Sequence, residues 1–90
     1  MDKRAEVIYR GNVQGVGFRY TARVLAIDFA ISGFVKNITD GSVQLIAEGE
    51  ASEVERFLAA VDTRMGDLVG AREVRWLDPG GDLRGFAIRF

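Results

Sequence analysis

Gly11-Asn12-Val13-Gln14-Gly15-Val16-Gly17-Phe18-Arg19 stands where the chain changes its period. Before it, residues 4 to 10 alternate, with Ala5, Val7 and Tyr9 set against Arg4, Glu6 and Arg10. Only Ile8 breaks the polar side, and the pattern predicts a strand with one buried face. After it, Phe18, Ala22, Leu25, Ala26 and Phe29 recur at helical spacing, which predicts an amphipathic helix to about residue 29. Three glycines and an arginine therefore occupy a strand-to-helix junction. Glycines allow tight turns and close backbone approach, and the free N–H groups of a helix start converge on one spot with the positive end of the dipole behind them. Such a junction can hold an anion. Arg19 sharpens the argument, because a cation in the first turn is disfavoured by ~0.3 to 1 kcal/mol unless something negative lies beside it. From residue 11 to residue 27 there is no Asp or Glu, so a ligand is the expected partner.

Downstream, residues 33 to 38 have strand composition, and Thr39-Asp40-Gly41 supplies the chemistry of a tight hairpin. In the partner strand, residues 42 to 48, Val43, Leu45 and Ala47 are expected to face the core. Ser42, Gln44 and Glu48 are expected to face outward, with Ile46 an exception. Ser52-Glu53-Val54-Glu55 reads as a capping box opening a second helix, whose Val54, Phe57, Leu58, Val61 and Met65 form one apolar stripe and whose stop is Gly66. Residues 72 to 77 predict a fourth strand centred on Val74 and Trp76, followed by the turn cluster Asp78-Pro79-Gly80-Gly81-Asp82. Phe86, Ile88 and Phe90 alternate into a short final strand. The order β-α-β-β-α-β, with one strand appended, predicts an α+β fold. It is the ferredoxin-like split β-α-β sandwich, with two helices on one face of an antiparallel four- to five-stranded sheet.

Composition narrows the chemistry. The 90 residues, 48% hydrophobic, suit one domain over residues 1–90 with a single core. There is no cysteine and no histidine. Thiolate nucleophiles, Ser-His-Asp and Cys-His mechanisms, phosphohistidine and His- or Cys-ligated metal sites are excluded, so catalysis must rest on Arg, Lys, Asn, hydroxyls, carboxylates and backbone amides. A net charge of −1 and a pI near 5.3 give no global reason to bind nucleic acid or an anionic membrane. No stretch has the length of a signal peptide or a membrane span, and a cytoplasmic monomer without cofactor is the expectation.

Two motifs carry a resemblance to a known family, the acylphosphatases. Residues 11–19 match the family's G-x-V-Q-G-V-x-F-R loop at every specified position. Gly33-Phe34-Val35-Lys36-Asn37, then Asp40-Gly41, Val43 and Gly49, match its second block at the family's separation. Tyr9, Ala22 and Ala30 depart from the pattern, and Ala30, standing where glycine is usual, puts the turn after the first helix in question. The resemblance implies hydrolysis of the mixed anhydride between a carboxylate and phosphate, with no metal and no covalent intermediate. It implies that Arg19 binds the phosphate together with the backbone N–H groups of Gln14, Gly15, Val16, Gly17 and Phe18, and that Asn37 positions the attacking water. It also implies a C-terminus close to that arginine. An amide is too weakly basic to be a general base, yet it can hold a water in line with the breaking bond. The partners implied are a small acyl phosphate and inorganic phosphate.

Other functions use the same layout. An RNA-recognition module would need aromatic residues on its central strands, and residues 42 to 48 contain none. The domain of larger carbamoyl-transferring maturation proteins is set aside because the chain looks free-standing. A phosphate-binding regulatory module is the runner-up. It would keep Arg19 without needing Asn37.

Overall fold

The computed structural model describes residues 1–90. Its elements are β1 (Asp2–Gly11), α1 (Phe18–Ala26), β2 (Ile31–Asn37), β3 (Val43–Glu50), α2 (Ala51–Met65), β4 (Val69–Leu77) and β5 (Phe86–Arg89), with a single 3₁₀ turn, Gly66–Leu68, after α2. The strands form one sheet in the order β4-β1-β3-β2-β5. β1 pairs antiparallel with β3, with Val7 opposite Leu45, and with β4 on its other side, with Val7 opposite Val74. β5 lies parallel to β2, with Val35 opposite Ile88, so the sheet is mixed where a wholly antiparallel one was expected. Its short chain segment returns across the sheet to run beside β2 in the same sense.

The alternation of β1 is realised: Ala5, Val7 and Tyr9 are buried beneath the helices. Val35, Val43, Leu45 and Ala47 join them from the sheet, and α1 contributes Phe18, Ala22 and Ala26. From α2 come Val54, Phe57, Leu58, Val61 and Met65, the stripe its spacing requires. A 3.6-residue period on the helices and a period of two on the strands thus meet in one core between two layers.

Several local expectations are corrected. α1 ends at Ala26, one turn earlier than the apolar spacing suggests, and Phe29 packs on the core from the turn that follows. Ala30 carries no positive φ, and no non-glycine residue in the chain does. Its N–H instead donates to Glu53 Oε2 at 3.0 Å, so the helix ends without the glycine cap. Ser52 does not cap α2. β3 pairs with β1 as far as Glu50 and passes straight into the helix at Ala51, whose N–H donates to the Met1 carbonyl, leaving Ser52 inside the first turn. Gly66 does stop α2, with φ 54°. Trp76 is 41% exposed because β4 is an edge strand at the margin of the layer that α2 covers. Arg72 pairs with Asp62 and Arg75 with Glu6.

Glu48 is the largest departure. Strand period places it on the open face, yet it is only 8% exposed. The segment after β4 folds over it, and its carboxylate accepts the N–H groups of Gly80 and Gly81, both at 2.9 Å, and Arg4 Nε at 2.7 Å. Burial pushes this carboxyl up, but Gly80, Arg4 and Gly81 together outweigh it and hold the group below the ordinary range.

Candidate active site

The loop between β1 and α1 is pinned from three sides. Val13 and Phe18 are buried, and the Phe18 ring lies 4.8 Å from that of Tyr9, centroid to centroid. Gln14 turns inward, its Nε2 donating to the carbonyls of Ile38 at 2.7 Å and Ser42 at 2.8 Å, which ties the loop to the β2–β3 hairpin. That hairpin is fixed in turn by Asp40, whose Oδ1 accepts from the Ser42 N–H at 2.9 Å. Bonds from the Ser42 hydroxyl and N–H, with Arg10 nearby, keep the Asp40 carboxyl below its ordinary range. Tyr9 fits as an anchor by its ring alone. Its hydroxyl has no hydrogen-bond partner, and burial, helped by Asp62, pushes its pKa well up despite nearby Arg72.

Between these anchors the backbone is turned by glycine. Gly15 has φ 76° and Gly17 has φ 80°, a left-handed region in which a side chain costs about 1–2 kcal/mol. Gly17 is the N-cap of α1 and offers no side chain to its N–H groups, and the first turn holds no acidic residue. The first bond of the helix runs from the Thr21 N–H to the Gly17 carbonyl. No backbone N–H from residue 14 to residue 20 donates to another atom of the chain. An ordinary helix start satisfies some of these donors with a Ser, Thr, Asp or Asn cap.

Arg19 and Asn37 meet above this run of donors. A cleft of about 180 Å³ is lined by Gly15, Gly17, Phe18, Arg19, Tyr20, Asn37, Ile88 and Phe90. Arg19 forms no ion pair, and its guanidinium carbon lies 4.9 Å from the centre of the Phe90 ring. Asn37, the last residue of β2, makes no side-chain hydrogen bond. Of the residues singled out in sequence, Gly15, Gly17, Phe18, Arg19 and Asn37 come to the cleft wall. Gln14 and Val16 do not line it: Gln14 braces the hairpin, and Val16 is exposed on the loop's outer side. Ile88, Phe90 and Tyr20 line it as well, and of these only Phe90 was foreshadowed, by the C-terminus that the resemblance sets near Arg19. The alternation of β5 identified the first two as a row, but nothing local said which helix that row would face.

Among its side chains the wall holds one cation, one carboxamide and one phenol, and no Asp or Glu. No group of three or more His, Cys, Asp or Glu side chains that could hold a metal ion exists in the chain. A larger depression of about 480 Å³ between the helices is lined by Leu25, Ala59, Ala60, Thr63 and Arg64, without a convergent set of donors. The cleft can therefore bind a small oxyanion through a planar guanidinium and preorganised N–H groups, with an amide free to hold a water.

The family model described as acylphosphatase matches residues 5–88. A protein named acylphosphatase from Roseiflexus sp. (strain RS-1) is 42% identical over 86 residues, covering 94% of this chain and 92% of that one. Another of that name from Streptomyces coelicolor is 42% identical over 91 residues, covering 98% and 97%. The crystal structure of acylphosphatase from Bacillus subtilis superposes with a TM-score of 0.89 at 31% identity, over 98% of this chain and 99% of that one. No helix here is long and apolar enough to cross a membrane.

Proposed function

The chain belongs to the acylphosphatase family, and on that premise we propose that it hydrolyses acyl phosphates without a metal, Arg19 and the loop N–H groups binding the phosphate and Asn37 orienting the attacking water. The observation that supports this most is the run of donors from residue 14 to residue 20, without an acceptor in the chain, beside an arginine without an ion pair.

The phosphate of the substrate lies against the N–H groups of residues 14 to 18, its remaining oxygens in the fork of Arg19. Asn37 holds a water in line with the bond to the acyl oxygen. Water oxygen attacks phosphorus, the P–O bond to the acyl group breaks, and the carboxylate leaves with the electron pair. The water's proton passes to a phosphate oxygen. Because the leaving group is good and the transition state loose, positioning and fixed dipoles suffice, and no side chain need act as a base. The donor set supports metal independence, since a hard cation would find no Asp or Glu side chain in the cleft wall. All proposed groups come from one chain, which suits a monomer, and a net charge of −1 suits a cytoplasmic enzyme with a small anionic substrate and no nucleic-acid partner.

Benzoyl phosphate hydrolysis in buffer containing EDTA and heavy-oxygen water tests the reading. It requires undiminished turnover with the label in inorganic phosphate. Label in benzoate would place the attack at carbon and overturn it, as would activity that depends on added metal.

A further inference from the structure

On the proposed reading, the phosphate and the water are held by two separate walls. The first is the loop after β1, with its free N–H groups, and the second is the end of β2, which carries Asn37. In-line attack requires the two walls to keep a fixed spacing, because a displacement of about 1 Å from a near-attack geometry can cost roughly a hundredfold in rate. Asn37 does not set that spacing itself. Its side chain makes no hydrogen bond, so its place follows from the backbone of the β2–β3 hairpin.

That hairpin is tied to the loop through one side chain. Gln14 Nε2 donates to the carbonyl of Ile38 at 2.7 Å and to that of Ser42 at 2.8 Å, and no other hydrogen bond joins residues 12–17 to residues 37–42. Ile38 directly follows Asn37, and its N–H donates to the Ser42 carbonyl at 2.9 Å, so both acceptors belong to the rung that closes the hairpin. Two converging carbonyls are met by the two N–H groups of one primary amide, in a planar fork. The turn does not need this fork for its own closure. The Ile38 carbonyl also accepts the Gly41 N–H at 3.1 Å, and Asp40 Oδ1 accepts the Ser42 N–H at 2.9 Å. The half-buried Gln14 side chain lies outside the cleft wall, and its two bonds join the turn to the loop.

We infer that Gln14 is a positioning residue, whose carboxamide, through Ile38 and Ser42, sets Asn37 against the phosphate loop and so acts on the chemical step rather than on phosphate affinity. The inference rests on the proposed function and adds to it a side chain that does not touch the substrate. One residue then serves both walls, its backbone N–H on the phosphate and its carboxamide on the hairpin.

The test measures kcat for benzoyl phosphate and competitive inhibition by inorganic phosphate in the wild type, Gln14→Met, Asn37→Ala and the double variant, each checked for folding by far-ultraviolet circular dichroism. Gln14→Met keeps the side-chain length and the backbone N–H and removes both donors. It is expected to lower kcat roughly ten- to a hundredfold and to change phosphate inhibition by less than about twofold. In the Asn37→Ala background the same change should cost little more, since a positioning group acts only through the group it positions. Gln14→Glu supplies a second readout. Its protonated carboxyl donates one O–H to a carbonyl and its ionised form donates nothing, so its kcat relative to the wild type should rise as pH falls from about 8 to 5. Unchanged kcat in Gln14→Met, an equal loss in the Asn37→Ala background, a matching loss of phosphate affinity, or a pH-independent ratio for Gln14→Glu overturns the positioning role and leaves the parent reading standing. Wild-type kcat in Asn37→Ala overturns both.

Discussion

Two glycine-rich loops of this chain offer backbone N–H groups and an arginine to an anion, and they differ in where the anion comes from. In the segment after β4, Gly80 and Gly81 donate to the Glu48 carboxylate, and Arg4 completes the set at 2.7 Å. In the segment after β1, the backbone N–H groups of residues 14 to 20 donate to nothing in the chain, and Arg19 forms no ion pair. The first loop is a closed account of donors and acceptors, and its work is to hold the open face of the sheet. On the proposed reading, the second loop takes its acceptor from the substrate. Similar local chemistry therefore serves stability in one place and binding in the other.

The largest effect that could break this contrast is expected at Arg19. Arg19→Ala should lower kcat/KM for benzoyl phosphate by about 10³-fold or more, the scale of an arginine that stabilises a transferring phosphoryl group. Its far-ultraviolet circular dichroism and melting temperature should stay near those of the wild type, because no ion pair is lost. Asn37→Ala should cost kcat about 10²–10³-fold, the scale of one lost oriented polar contact in a transition state. Inorganic phosphate should still inhibit that variant competitively.

Glu48→Gln makes the reverse case. It removes the internal anion from Arg4 and two N–H groups, and denaturant unfolding should report a loss of about 2–3 kcal/mol, with kcat/KM unchanged at temperatures where the variant is folded. The folded pKa of Glu48 is depressed, so the unfolded chain binds the proton first as pH falls. The stability Glu48 contributes is complete above the ordinary glutamate range, near 4.5, and is lost as pH falls below it through the folded value. Glu48→Gln should flatten that acid limb. A smaller change is expected at Tyr9, whose hydroxyl has no partner. Tyr9→Phe keeps the ring against Phe18 and should shift stability by less than about 1 kcal/mol, toward greater stability, with activity unchanged.

The same contrast marks how far the sequence could be read. Residues 11–19 were legible because their signals are local: period two before them, period 3.6 after them, glycines between, and no acidic residue near Arg19. Asn37 became legible through a second motif, and the fold brings it to the same cleft. Glu48 was not legible. Alternation fixed the face of the sheet it occupies, but not that residues 80 and 81 would cross that face. Phe90 beside Arg19 was expected only through the resemblance and from no local signal, since the two lie at opposite ends of the chain and meet because β5 runs parallel to β2. The early end of α1 and the unused cap at Ser52 also turn on distant groups, Glu53 holding the Ala30 N–H and Met1 receiving that of Ala51. Period and local chemistry carry element and face, whereas long-range closure decides what covers them.

The most direct test is the thermal stability of three proteins, wild type, Glu48→Gln and Arg19→Ala, titrated with inorganic phosphate at constant ionic strength. A ligand held at about a hundred times its Kd stabilises the folded state by roughly 2.7 kcal/mol. For a domain of this size, that is a rise of more than about 10 °C in Tm. Equal rises are expected in the wild type and Glu48→Gln, which differ only at the internally satisfied loop, and little or none in Arg19→Ala. A rise of the same size in Arg19→Ala, or none in the wild type at any phosphate concentration, would contradict the claim that the loop after β1 draws its anion from solution.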